Sequence, residues 1–173
     1  MKRASFGHME CGIARAVDAV GDAWTLLLLR EAFLGATTFA EFQSRLPVAP
    51  NTLSRRLVEL TRKGLFTRTA YQRRPAREEY VLTEKAMELL PVLLALGAWG
   101  NRWLAPRGAF MTFVNPKTKR AIEPRIIDAR SKKALRPGAV ALTAGPGASR
   151  ALRRQLREPV VLGTSGNSRR NSP

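Results

Sequence analysis

TFAEFQSRLPVAPNTLSRRLVELTRKG (Thr38–Gly64), followed by LFTRTAYQRRPAREEYVL (Leu65–Leu82), is the stretch that decides the fold. Thr38 and Glu41 have the spacing of a capping box: the hydroxyl takes an orphan helix amide while the carboxylate reaches back. Phe39, Phe42 and Leu46 follow at i, i+3 and i+7. Pro47-Val48-Ala49 is a turn, and Pro50 at the first helical position starts a second helix without losing a needed N–H. There Leu53, Leu57 and Leu60 share one face, while Asn51, Arg55, Val58 and Arg62 project to the other, with Thr52 and Ser54 flanking. Gly64 ends it. Leu65–Tyr71 and Glu78–Leu82 then read as two strands joined by the loop Gln72–Arg77, so a hairpin follows the second helix as a wing. Between Ser44 and Arg77 there are 9 basic residues and one acid, Glu59. A compact helical unit with that balance reads as a DNA-binding winged helix.

The flanks are helical. Ile13, Ala16, Val17 and Val20 lay an apolar stripe along a two-turn helix, which Gly21 ends. Asp22 caps the next, Ala23–Leu34, apolar on most sides, with Arg30 and Glu31 as its narrow wet face. After the wing, Thr83 opens a long helix from Glu84 to about Leu104, kinked at Pro91. Its leucines, Trp99 and Trp103 surround it with apolar surface that a single small domain hardly covers, which points to a second subunit.

The chain of 173 residues carries a formal charge of +17, an excess that favours polyanionic partners. Cys11 is the only cysteine and His8 the only histidine, so neither a disulfide framework nor a cysteine-based zinc site is expected. The uncharged run Leu89–Asn101 is too short for a membrane span, and no secretory segment opens the chain. A cytoplasmic protein with no cofactor and no membrane partner is expected. No carboxylate pair, nucleophile with a nearby histidine or glycine-rich phosphate loop is legible, so an enzyme is not expected.

Taken together, Cys11–Ala16, Gly21–Glu31, Phe39-Ala40-Glu41-Phe42 and Tyr71–Lys85 resemble the bacterial HxlR-type winged-helix transcriptional regulators, from about Met9 to Trp103. The resemblance implies a homodimer held by the Ile13–Val20 and Glu84–Leu104 helices. It implies palindromic double-stranded DNA as partner, with Pro50–Lys63 as recognition helix and Gln72–Arg77 as wing. Two-fold dimers present recognition helices roughly 34–36 Å apart, one duplex turn. Asn51, Thr52, Ser54 and Arg55 are the candidates for base edges. Arg56, Arg62 and Lys63 are candidates for phosphates, and Arg73, Arg74 and Arg77 for wing contacts, where an arginine enters a narrow minor groove. Cys11 matches a cysteine that senses oxidants in some relatives; a small apolar group at a dimer seam is the other reading. A small-molecule effector between winged helix and dimer helix is a further candidate input. Where these relatives usually have glycine after Thr-Glu-Lys, this chain has Ala86.

Beyond the linker Ala105–Gly108, Asn115–Pro124 aligns with Asp128–Pro137 at a period of 13 residues. Each copy starts on Asx, turns through basic and hydroxyl residues and ends on Pro, with apolar strand candidates between, so a small β-meander is expected. Some relatives carry a zinc-ribbon-like extension here, but no Cys or His follows Cys11, so metal binding is not expected. From Gly145 the composition turns to Gly, Ser, Arg and Pro, with a short basic helix over Ala148–Arg157 and disorder from Gly163. The expected fold is mainly α with a small β wing: a winged helix-turn-helix over 9–104, a β-hairpin extension over 105–144 and a disordered basic tail over 145–173. The alternative function is a non-specific architectural or RNA-binding protein, supported by the +12 carried by residues 105–173.

Overall fold

Side-chain caps start three of the first five helices, and each was legible as a short polar residue before an apolar run. In the computed structural model, which describes residues 5–73 and 76–163, Asp22 accepts from the Thr25 N–H at 3.1 Å and opens α2 (Ala23–Phe33) after α1 (Gly12–Val20). Thr38 accepts from the Glu41 N–H at 3.3 Å while Glu41 Oε2 accepts from the Thr38 N–H at 2.9 Å, a complete capping box for α3 (Phe39–Arg45). Pro50 starts α4 (Pro50–Arg62). Thr83 caps the single turn α5 (Glu84–Met87).

α4 ends in a Schellman turn. Gly64, at φ +70°, lets its N–H reach the Thr61 carbonyl at 2.9 Å while the Leu65 N–H reaches Leu60 O at 2.9 Å. The chain passes at once into the antiparallel hairpin β1 (Phe66–Arg73) and β2 (Ala76–Leu82), paired Phe66↔Leu82 through Arg73↔Ala76 with one irregularity between Ala70 and Gln72. β2 is also tied to the start of α3: the Tyr80 N–H donates to Thr37 O at 2.7 Å, and Thr38 bridges Glu79.

The core lies where α2, α3, α4 and the hairpin converge. Leu28, Leu29, Phe42, Leu53, Leu57, Leu60, Leu65 and Phe66 are buried, and Tyr80 and Ala86 complete it. Phe42 and Phe66 lie 6.1 Å apart and tilted; Tyr80 meets Phe66 edge-on at 6.4 Å. Ala86 is fully buried, so the methyl group at this position packs into the core.

Three expectations change. Glu31, assigned to the wet face of α2, is 5% exposed. Its carboxylate is held by Arg30 at 2.5 Å and faces Arg45 of α3 at 3.8 Å, and two cations supply what water would. The long post-wing helix is broken rather than kinked: α5 stops at Met87, and α6 (Leu90–Trp103) restarts with Pro91 in its first turn, the position where a missing N–H costs nothing. The repeats are not one meander. Each folds as its own turn closed by a single bridge, Val114↔Ala121 and Ile127↔Ala134.

The chain divides into two compact units, 1–111 and 112–173. In the second, Asn115 Oδ1 accepts from the Lys117 and Thr118 N–H groups, and the Asp128 carboxylate from those of Arg130 and Ser131. Those donors hold the Asp128 carboxyl below its ordinary range, the Ser131 hydroxyl and N–H first. Lys119 and Lys132 sit at φ 58° and 57°, the only non-glycine residues with positive φ among those described. That conformation costs an L-residue about 1–2 kcal/mol. Residues 145–163, placed by sequence in the basic tail, carry α7 (Arg150–Gln155), capped by Ser149, and β4 (Val160–Val161), which pairs with β3 (Ala141–Leu142). The end of the expected disordered stretch, from Thr164, lies outside the described residues.

Candidate nucleic-acid interface

α4 divides into two faces because Leu53, Leu57 and Leu60 fix which side looks inward. On the outer face Asn51, Ser54, Arg55 and Arg62 are exposed and Thr52 is half-buried. Val58, 54% exposed, sits among them. An exposed valine on a polar helix face suits contact with a thymine methyl group. Among the described residues, none bonds to the side chains of Asn51, Thr52, Ser54, Arg55 and Arg62.

Arg56 and Lys63 behave differently. Arg56 Nη1 donates to Glu59 Oε2 at 2.8 Å, and Arg56 Nε lies 3.5 Å from Asp22 Oδ1, the cap of α2. Lys63 Nζ donates to the Asp18 and Ala19 carbonyls at 3.2 and 2.9 Å, the open C-terminal end of α1, and pairs with Glu59 at 2.8 Å. Lys63 above all, then Arg56, holds the Glu59 carboxyl below its usual range. Both cations were expected at phosphates; in the structure they also tie α4 to the α1–α2 junction. The spacings Arg56/Glu59 and Glu59/Lys63 signalled helical ion pairs. The carbonyl acceptors on α1 left no mark in the side-chain pattern.

In the wing, Arg73 ends β1 and Arg77 lies in β2, opposite Gln72. Arg74 lies outside the described residues. At the base of the hairpin Arg68 pairs with Glu78.

The profile of the HxlR-like helix-turn-helix family matches residues 19–108, which span α2 to α6. The chain belongs to that family. An uncharacterised HTH-type transcriptional regulator of Mycobacterium tuberculosis is 35% identical over 136 residues, 78% of this chain and 86% of that protein. A Synechocystis HTH-type regulator is 37% identical over 99 residues, 57% of this chain and 73% of its own. The crystal structure of PA1607, described as a candidate transcription factor, superposes with a TM-score of 0.75 at 30% identity, over 82% of this chain and all of that one. The redox regulator HypR, in its reduced form, gives 0.51 at 30% identity over 55% of this chain and 97% of its own. This HxlR-like protein is therefore a transcriptional regulator with a helix-turn-helix DNA-binding domain.

Cys11 is exposed at the N-cap position of α1 and makes no side-chain capping bond. Among the described residues no group of three or more His, Cys, Asp or Glu is placed to hold a metal ion. No described helix is long and apolar enough to cross a membrane.

Proposed function

We propose that the chain is a cytoplasmic, homodimeric repressor that reads a palindromic operator in double-stranded DNA. The observation that carries this is the division of labour on α4. Arg56 and Lys63 are turned inward as positioning residues, while Asn51, Thr52, Ser54 and Arg55 stay open toward base edges near the helix start. Asn suits adenine and Arg suits guanine by bidentate geometry. Arg62 and the wing residues Arg73, Arg74 and Arg77 supply phosphate and minor-groove contacts.

Support for the dimer comes from apolar surface that one chain leaves uncovered. α1 has no buried residue and exposes 74% of Ile13, together with Val17. α6 also buries none and exposes Val92, Leu96, Trp99 and Trp103. Two such stripes need a partner, and a second copy is the simplest one that also sets the spacing of two recognition helices.

The test is selection of DNA from a random pool, followed by competition with bulk DNA at stated salt. A palindromic consensus that survives competition supports the reading. Retention that bulk DNA abolishes would mark a non-specific architectural protein instead. Leu96→Asp should convert the dimer to monomer in sedimentation and abolish operator retention; a dimer that persists would remove α6 from the interface.

A second reading concerns input. The exposed Cys11 thiol favours an oxidant-sensing role, acting only if oxidation shifts the balance between DNA-competent and incompetent states. Operator release by diamide that persists in Cys11→Ser would refute it.

A further inference from the structure

The two turns of the second unit are copies of one another in detail. The Asn115 N–H donates to Arg120 O at 2.9 Å, and the Asp128 N–H to Lys133 O at 2.9 Å. The Lys119 N–H donates to Asn115 O at 2.8 Å, and the Lys132 N–H to Asp128 O at 2.8 Å. The Ile122 N–H reaches Phe113 O at 2.8 Å, and the Leu135 N–H reaches Ile126 O at 2.9 Å. The hydroxyls of Thr118 and Ser131 accept from Arg120 and Lys133, both at 3.4 Å. Each turn therefore presents three cations at the same three places: Lys117, Lys119 and Arg120 in the first, Arg130, Lys132 and Lys133 in the second. All six are exposed. None has a recorded ion pair with a described residue, whereas Glu123, the nearby free acid, is taken by Arg125 at 2.8 Å.

The middle cation is the informative one. Its backbone is left-handed in both copies, a conformation that glycine or asparagine adopts with less strain. The turn therefore does not select lysine on conformational grounds; strain held at a defined position is a mark of use. What lysine adds there is an exposed charge at the end of the turn. Two cation triplets at matching places of two matching turns suit a ligand that repeats one anionic group along its length. A nucleic-acid backbone does that, and a free anion does not.

We infer that the tandem turns form a second, sequence-independent contact of this regulator, gripping phosphates of duplex DNA. The inference rests on the proposed DNA-binding function for its choice of duplex DNA over other polyanions. Phosphate contacts of this kind raise affinity and fix register without reading sequence. They also release counterions, so they set the salt dependence of binding.

The experiment titrates full-length protein and the double variant Lys119→Gly/Lys132→Gly with a mixed-sequence DNA duplex, and with a duplex selected from a random pool, across a range of salt. Removing two phosphate contacts should flatten the plot of log affinity against log salt by about 1.8 per chain. Over a fourfold rise in salt that is about tenfold for each chain, so the proposed dimer loses roughly a hundredfold more affinity than the variant. Base preference stays the same. The urea midpoint stays level or rises, because glycine relieves the positive φ. Lys119→Asn/Lys132→Asn, which also tolerates that backbone, should behave like the glycine pair, and Lys119→Arg/Lys132→Arg should restore the slope. An unchanged slope with either neutral pair overturns the inference. A slope that falls on duplex RNA or on phosphatidylserine vesicles but not on DNA overturns it as well, by assigning the turns to another polyanion. Arg55→Ala, run alongside, separates the two readings: if it leaves base preference intact, the α4 reading fails, while the tandem turns are still judged by slope alone.

Discussion

Lys63→Met separates two roles for one side chain. Methionine keeps a long unbranched stem and removes the ammonium. In the structure that ammonium satisfies the last carbonyls of α1 at 2.9 and 3.2 Å and pairs with Glu59 at 2.8 Å, with 18% of the side chain exposed. A hydrogen bond from a charged group contributes about 1.5–3 kcal/mol net. The two carbonyls share one donor and sit near water, so the loss should be about 2 kcal/mol rather than twice that. Urea unfolding followed by tryptophan fluorescence reads it. The same variant has a pH signature. Glu59 has a carboxyl pKa lowered from 4.5, chiefly by Lys63, so it contributes stability that is complete above 4.5 and lost as pH falls. Without Lys63 that acid-side loss should be shallower. A phosphate-contacting Lys63 predicts the opposite pattern: stability changed by less than about 0.5 kcal/mol, as for an ordinary surface substitution, and a salt slope for DNA binding lower by about 0.9 per chain. That second outcome would refute the clamp.

Arg55→Ala should weaken operator binding by about 1–3 kcal/mol and relax preference at one base position, measured by competition among single-base operator variants. Thr38→Ala should cost about 1 kcal/mol by loss of the α3 cap, read from the urea midpoint. Glu41, whose carboxyl is lowered to about 2 by the N–H groups of Thr37 and Thr38 and by the Thr38 hydroxyl, contributes stability that is full above 4.5 and lost as pH falls toward 2. Glu41→Gln should remove that part of the acid-side decline, read from urea midpoints at neutral and acid pH. Phe42→Ala, at a fully buried site between α3 and Phe66, should cost about 3–5 kcal/mol by the same unfolding assay.

Much of the winged helix was legible because its signals are local. The Thr38/Glu41 box, Pro50 at the helix start and the Leu53/Leu57/Leu60 face each lie within a few residues, and each forms as their chemistry dictates. What escaped is tertiary. Glu31 looked wet because a lone carboxylate on an apolar helix should be; Arg45, on the next helix, makes burial tolerable. Pro91 looked like a kink because the apolar run around it is continuous. The break two residues earlier moves it to a first turn, where it is at home. Lys63 found backbone carbonyls 44 and 45 residues back, an acceptor any residue type can offer. The outer face of α4 was readable as a face. Which of its cations remain open depended on Asp22, a cap already assigned to another helix. In the repeats the period was plain, but strands of one bridge each carry too little apolar alternation to pair across copies.

The Schellman turn at Gly64 leaves no slack between α4 and β1: Leu65 is already buried and Phe66 already paired. A strand shifted by one residue turns its side chains to the other face. One added residue at this junction would thus expel Phe66 from the core and point Thr67 into it. Insertions and deletions are closed to this segment as a route of change. On the proposed reading of α4, family members that drift toward new operators do so by exchanging side chains on its outer face, so divergence should accumulate as substitutions at 51, 52, 54, 55 and 58 and not as changes in loop length.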